Sequence, residues 1–204
     1  MTQSITTIIF DFGNVLLGWD ARKLYERFFP DLEAVDRFLE QIRFAEWNAK
    51  QDAGRPFHVG VADLSRQFPQ YADLIQAYDT YWEESLTGRV DGTIEIVNEL
   101  KQAGWPLYLL SNFSVEKFEL IRSQHSYLDL FDDIIISGEI GIVKPEPAIF
   151  QQALTRINRT AQECLFIDDS AANIETARTL GFQVIHYHSP AQLRSELATL
   201  SILG

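Results

Sequence analysis

The sequence predicts an α/β protein: a doubly wound, Rossmann-like parallel sheet with an α-helical cap subdomain inserted into it. Three observations lead there. Short apolar runs without polar alternation recur along the chain, as expected of strands buried on both faces. Amphipathic stretches of helical period separate the later runs. One connection between runs is far too long to be a simple crossover.

The first run is Ile8-Ile9-Phe10, and the second is Leu107-Tyr108-Leu109-Leu110. They lie 97 residues apart, whereas a parallel crossover needs only a dozen or so. Helical spacing inside that interval (Leu24, Phe28; Val35, Phe38, Leu39, Ile42) and the lack of strand-like runs between about 20 and 86 make it a helical insertion. Residues 19–87 are therefore expected to form the cap, hinged near Gly18 and Gly88, with 1–18 and 88–204 forming the core. Ile94, Val97 and Leu100 mark a helix that stops at Gly104. Ile134-Ile135-Ile136 reads as the third strand, and Pro147 starts a helix carrying Ile149, Phe150, Ala153, Leu154 and Ile157. Leu165-Phe166-Ile167 is the fourth strand, followed by a helix with Ile174, Ala177 and Leu180 that ends at Gly181. Val184-Ile185 is the fifth. Ser189, Pro190 and Gln192 then form a capping-box signature ahead of Leu193, Leu197 and Leu200.

Composition limits the partners. A hydrophobic fraction of 46% with 23% charged residues is that of a globular chain, which excludes wholesale disorder. Acids outnumber bases 29 to 17, with no Lys/Arg run, so nucleic acid and anionic membrane surfaces are not expected partners. A small anionic substrate would need a recruited cation. The single cysteine, Cys164, cannot close an internal disulfide. With no apolar stretch near 18 residues and no signal-like start, the expected location is the cytoplasm. Oligomeric state is not legible.

In open α/β sheets ligands bind beyond the carboxyl ends of the strands. Asp11-Phe12-Gly13-Asn14 follows the first run, Ser111-Asn112 the second, Lys144-Pro145 the third and Asp168-Asp169-Ser170 the fourth. A lone carboxylate at a strand end is ordinarily a cap or a solvated loop residue. Three converging on one edge repel each other and call for a cation, and all-oxygen ligands suit Mg²⁺. With a phosphate dianion and one Lys144 present, Mg²⁺ reduces the formal charge imbalance from about −4 to about −2. This suits phosphoryl transfer through an aspartyl-phosphate.

The four ordered motifs resemble those of the haloacid dehalogenase (HAD) superfamily, and the insertion falls where that family's first type of cap belongs. The resemblance covers the whole chain. It implies Asp11 as nucleophile and metal ligand, the Gly13 carbonyl as a further ligand, and Asp168 and Asp169 as holders of Mg²⁺. It also implies phosphate binding by Ser111 and Asn112, with Lys144 orienting nucleophile and phosphate. Family phosphatases usually carry a second aspartate two positions after the nucleophile, as acid and then base. Gly13 stands there in this sequence, which resembles a branch with Asp-x-Gly-Asn in its first motif and sugar-phosphate phosphatases among its members.

In the cap, Trp47, Asn48, Asp52 and Arg55 are candidate substrate contacts, each weighed against a packing or solvated-charge role. Asp52 is also the first candidate to replace the missing acid and base. Asn14 is expected to shape its loop. The four histidines show no ligand constellation, and Tyr71, Tyr78, Tyr81 and Trp82 read as helix packing. The expected function is a Mg²⁺-dependent phosphatase of a small phosphorylated metabolite, sugar phosphates included. The alternatives are a 2-haloacid dehalogenase using Asp11 and a catalytically weak HAD-fold binding protein. The Asp168-Asp169 pair argues against the first, since it would face a carboxylate substrate with no cation. Only Gly13 speaks for the second.

Overall fold

The computed structural model describes residues 4–203. Strand β1 (Thr7–Phe10) leads through a tight loop to β2 (Leu17–Trp19), and five helices follow: α1 (Ala21–Tyr25), α2 (Leu32–Gln41), α3 (Phe44–Asp52), α4 (Phe57–Gln67) and α5 (Ala72–Thr80). Strand β3 (Leu86–Arg89) returns the chain to α6 (Asp91–Gln102), β4 (Leu107–Ser111) and α7 (Val115–Arg122). Then come β5 (Asp133–Ile136), α8 (Ser137–Ile140), α9 (Pro147–Ile157), β6 (Cys164–Asp168), α10 (Ala171–Thr179), β7 (Gln183–His186) and α11 (Pro190–Thr199).

Five strands form one parallel sheet in the order β5-β4-β1-β6-β7. The chain leaves β1 toward β4 and β5 on one side, then crosses to β6 and β7 on the other. The order therefore reverses beside β1, and that crevice is where such sheets bind ligands. Alternation of side chains sorts the apolar runs onto two faces. Ile9, Leu110, Ile135 and Phe166 pack with Ile149, Phe150 and Ile174 of α9 and α10. Ile8, Phe10, Leu109 and Ile167 pack on the other face with Val97 of α6 and Leu193 of α11.

That second core runs without a break into the inserted helices, through Phe12, Val15 and Leu16 to Tyr25, Phe38, Trp47 and Tyr78. Tyr78 is its hub, with ring centroids 4.9 Å from Phe44 and 5.8 Å from Trp47. Aromatic pairs at such spacing add to the area they bury.

Four local expectations need correction. The insertion is bounded by strands: β2 pairs antiparallel with β3, and Gly18 faces Gly88. These strands carry a glycine each, and β3 is largely exposed, so neither writes an apolar run. Phe28 lies beyond the end of α1 and is exposed. Tyr81 is likewise exposed rather than packed inside. At α11, Ser189 Oγ does accept from Gln192 N–H (3.2 Å), but Gln192 Oε1 accepts from the His188 N–H (3.0 Å) instead of closing a box on Ser189. Among the described residues no helix is long and apolar enough to cross a membrane.

Candidate active site

Strand order places the chemistry. β1 lies between β4 and β6, with Phe10 level with Leu109 on one side and Ile167 on the other. Asp11, one residue past β1, is thus flanked by Ser111 and Asp168, the last residues of β4 and β6. The Asp11 N–H continues the ladder to Ile167 O (2.8 Å), which fixes where its side chain begins.

Lys144 is the central cation. Its Nζ donates to Asp11 Oδ1 (2.8 Å), Asp168 Oδ2 (2.7 Å) and Leu110 O (2.8 Å), which uses all three ammonium hydrogens. In this arrangement Lys144 holds Asp11 and Asp168 and has no donor left over for a phosphate. Asn112 grips the Lys144 backbone from both sides: Nδ2 donates to Lys144 O (2.8 Å) and Oδ1 accepts from Lys144 N–H (2.7 Å). Its amide therefore holds the Lys144 loop, whose Lys144–Pro145 bond is cis, against the end of β4. Ser111 is buried at the cavity floor.

The carboxylates of Asp11, Asp168 and Asp169 each bring an oxygen within 4.8 Å of the others. Their surroundings differ. Asp168 is fully buried and accepts from Lys144, from Ser170 N–H (2.8 Å) and from Asn173 Nδ2 (2.9 and 3.0 Å). Its lone pairs are engaged by protein donors. Burial pushes the Asp11 carboxyl up to about 7, against the pull of Lys144 and with the help of Asp168. Burial and Asp168 also raise Asp169, while Lys144 and a hydrogen bond from the Asn14 amide hold it back. Asn14 adopts a left-handed backbone (φ 57°), and its Oδ1 accepts from Trp19 N–H (2.9 Å). One side chain thus shapes the loop and steadies Asp169. Carboxylates crowded this closely, all hard oxygen donors with one ammonium among them, fit a divalent cation such as Mg²⁺.

Above this group lies a cavity of about 340 Å³. Its polar floor includes Asp11, Gly13, Ser111, Lys144 and Asp169, and its upper wall comprises Trp19, Phe57, Tyr78, Trp82 and Phe113. Of the four cap candidates, Asn48 and Asp52 line it, while Trp47 and Arg55 are not among its lining residues. Trp47 is buried in the inserted layer, with Nε1 donating to Gly60 O (2.8 Å). Arg55 donates to Gln51 Oε1 (2.6 Å), whose amide turns back to Trp47 O.

Asn173 escaped the sequence reading. It sits five residues after Asp168 on the first turn of α10, a spacing that does aim a side chain back at a strand end, although an asparagine there carries no chemical signal alone. Tyr78 and Trp82 pack as expected and also line the cavity.

Comparison with known proteins gives the family and the fold. Residues 5–181 match the family model for haloacid dehalogenase-like hydrolases, and the chain belongs to that family of hydrolases. It is 32% identical over 191 residues to the sesquiterpene phosphatase astK of Aspergillus oryzae, covering 91% of each chain. It is 24% identical over 207 residues to a D-ribitol-5-phosphate phosphatase of Bacteroides thetaiotaomicron, covering 96% of this chain and 98% of the relative. A further relative, drimenol cyclase drtB of Aspergillus calidoustus, is much longer, and the chain spans 36% of it. In fold it resembles a HAD family enzyme of Bacteroides thetaiotaomicron crystallised with magnesium and inorganic phosphate. The TM-score is 0.71 at 20% identity, over 91% of this chain and 96% of the other.

Proposed function

We propose that this chain is a Mg²⁺-dependent phosphatase acting on a small phosphomonoester, with 1–18 and 88–204 carrying the chemistry and 19–87 forming the cap. The observation that carries the reading is the buried Asp11–Lys144–Asp168 arrangement beside Asp169, at the floor of a cavity. Asp11, Asp169 and the Gly13 carbonyl would hold the metal, with Asp168 adding charge and orienting Lys144. When bound, Mg²⁺ supplies charge neutralisation that lets an anionic phosphate approach three carboxylates.

The chain's own groups then do the following. Lys144 holds Asp11 Oδ1 in place. The free carboxylate oxygen of Asp11 attacks phosphorus, the ester P–O bond breaks, and the leaving alkoxide takes up a proton. Water attacks the aspartyl-phosphate, loses its proton, and regenerates Asp11 with release of inorganic phosphate. Ser111, at the end of β4, and the Asn112 N–H would receive phosphate oxygens as the cap excludes bulk water.

The leaving group meets a wall of aromatic side chains. Lys117 could offer a charge there, but its Nζ is taken up by Asp79 Oδ1 (2.6 Å) and Asp79 O (2.9 Å). The Asn48 amide bonds Asp52. With Lys117 and Asn48 turned to partners within the protein and Trp19, Phe57, Tyr78, Trp82 and Phe113 on the wall, an alcohol with an apolar face fits better than a free sugar.

The test is phosphate release from a panel of phosphomonoesters with Mg²⁺ and with EDTA. Release should require the metal, Mg²⁺ should raise the melting temperature by mass action, and Asp11→Asn should abolish turnover in a folded protein. Release that persists in EDTA, or in Asp11→Asn, sinks the reading.

A further inference from the structure

Position 13 offers no carboxylate, and the reason is not lack of room. Gly13 lines the cavity, and among the described residues no atom beyond its chain neighbours lies within 4 Å of where a Cβ would project. The cavity nevertheless holds a carboxyl with no role so far. Asp52 is the last residue of α3, in the inserted layer, and lines the same space as Asp11 and Asp169.

Its position is fixed against the core from several sides. The Asp52 carbonyl accepts from Ser137 Oγ, and that hydroxyl accepts in turn from the Phe113 N–H (3.0 Å), one residue beyond Ser111-Asn112. The carboxyl accepts from Asn48 Nδ2 (2.9 Å) and faces the Ser114 N–H. Two residues on, Gly54 approaches Gly138 so closely that a Cβ would come within 2.6 Å of the Gly138 carbonyl. The inserted layer is therefore seated with Asp52 at the rim of the loop expected to bind phosphate, in the cavity it shares with Asp11.

We propose that Asp52 is the proton donor and acceptor that the first motif lacks. The proposal rests on the phosphatase reading of the site. As the ester P–O bond breaks, the protonated Asp52 carboxyl delivers its proton to the departing oxygen and becomes a carboxylate. It then takes a proton from the water that attacks the aspartyl-phosphate, which restores the acid for the next turnover. Both proton movements balance within one cycle, with no other reactant.

The local chemistry favours such a role. Burial pushes this carboxyl up to about 7, with the Ser114 N–H pulling the other way, so both forms are populated near neutrality. A carboxylate on the final turn of α3 also meets the negative end of the helix dipole. The other titratable groups lining the cavity are Asp11, Tyr78, Lys117, Lys144 and Asp169. Of these, Lys117 is paired with Asp79, and Lys144 with Asp11 and Asp168.

The experiment compares two aromatic substrates that differ in how much the departing oxygen needs a proton: benzyl phosphate, which releases a basic alkoxide, and p-nitrophenyl phosphate, which releases a stabilised phenolate. In Asp52→Asn, first-turnover release of benzyl alcohol should fall about 10²-fold, while the nitrophenol burst slows less than about threefold. Steady-state turnover of both should drop, because hydrolysis of the aspartyl-phosphate still needs a base. The fall of benzyl phosphate kcat/KM as pH rises through the neutral range should vanish in the variant. Asp52→Glu should recover part of the loss, and the double variant Gly13→Asp, Asp52→Asn should recover leaving-group independence. Equal losses with both substrates, or no loss with either, overturns the role of Asp52 while leaving the phosphatase reading intact. Absence of phosphate release from any substrate by the unaltered protein overturns both. If Asp52→Asn does not fold, the same comparison on the double variant and on Asp52→Glu decides.

Discussion

A carboxyl that is costly to ionise where it stands leaves a thermodynamic trace. For Asp52 the folded-state value is raised to about 7 from 3.8, so the folded state holds its proton more tightly than the unfolded chain does. The stability associated with this group is fully present below about pH 4 and is lost as pH rises through about 7. Asp52→Asn removes that loss. It should melt above the unaltered protein at pH 8, by roughly 1–3 kcal/mol of unfolding free energy, with the gap closing toward pH 4. Equal melting curves at both pH values would contradict it. A second trace belongs to Asn173, whose amide serves both oxygens of Asp168. Asn173→Ala should cost roughly 1–3 kcal/mol, seen in urea unfolding, since a buried charge loses a donor. Asp11 and the paired aspartates were legible because a carboxylate at a strand end is a local pattern. Asn173 and the two-sided grip of Asn112 on Lys144 were not, because an amide's role depends on the partner that folding brings to it.

Helices and strands carry the next level of consequence. The inserted layer is fastened to the core by the Lys117–Asp79 pair between α7 and α5, by Glu116 Oε1 accepting from the Phe57 N–H (3.2 Å), and by the Gly54–Gly138 approach. Lys117 Nζ also lies 4.4 Å from the Phe57 ring centroid, a cation–π contact that ties the fastening to the cavity wall. Asp79→Asn should therefore raise KM and cost about 1–2 kcal/mol in urea unfolding. Gly54→Ala is the sharper probe, because its φ of 93° is strained for any side chain and the added methyl strikes backbone. A misplacement of about 1 Å at the site can cost about 10²-fold in rate. Gly54→Ala should lose activity on that scale, with trypsin cutting the inserted helices faster while the core stays protected. The five sheet strands were readable because each is an unbroken apolar run between turn residues. β2 and β3 were not, since an exposed, glycine-bearing pair is specified by what it joins rather than by burial.

Taken whole, the molecule has two apolar cores, and the one that holds Ile8 and Phe10 does not stop at the boundary between sheet and insertion. Phe12, directly after Asp11, packs against Phe113 and Phe118 at centroid distances of 5.7 and 6.1 Å. The residues that shape the cavity roof and those that support Asp11 thus belong to a single packed body, and their substitutions should couple energetically. The β2–β3 pair gives this body an unusual seam. Both crossings between sheet and insertion pass through one two-stranded ribbon, with Gly18 opposite Gly88. An excursion that leaves and returns through neighbouring positions can be exchanged as a cassette, with the order of the parallel strands untouched. The graft has two further requirements: the incoming segment must bring its own oily underside to cover Phe12 and Phe113 and, on the proposed role of Asp52, its own carboxyl to stand where Asp52 stands. Roof and reactivity would then be inherited together, so that a lineage changing its substrate by replacing the lid would reset its proton chemistry in the same event.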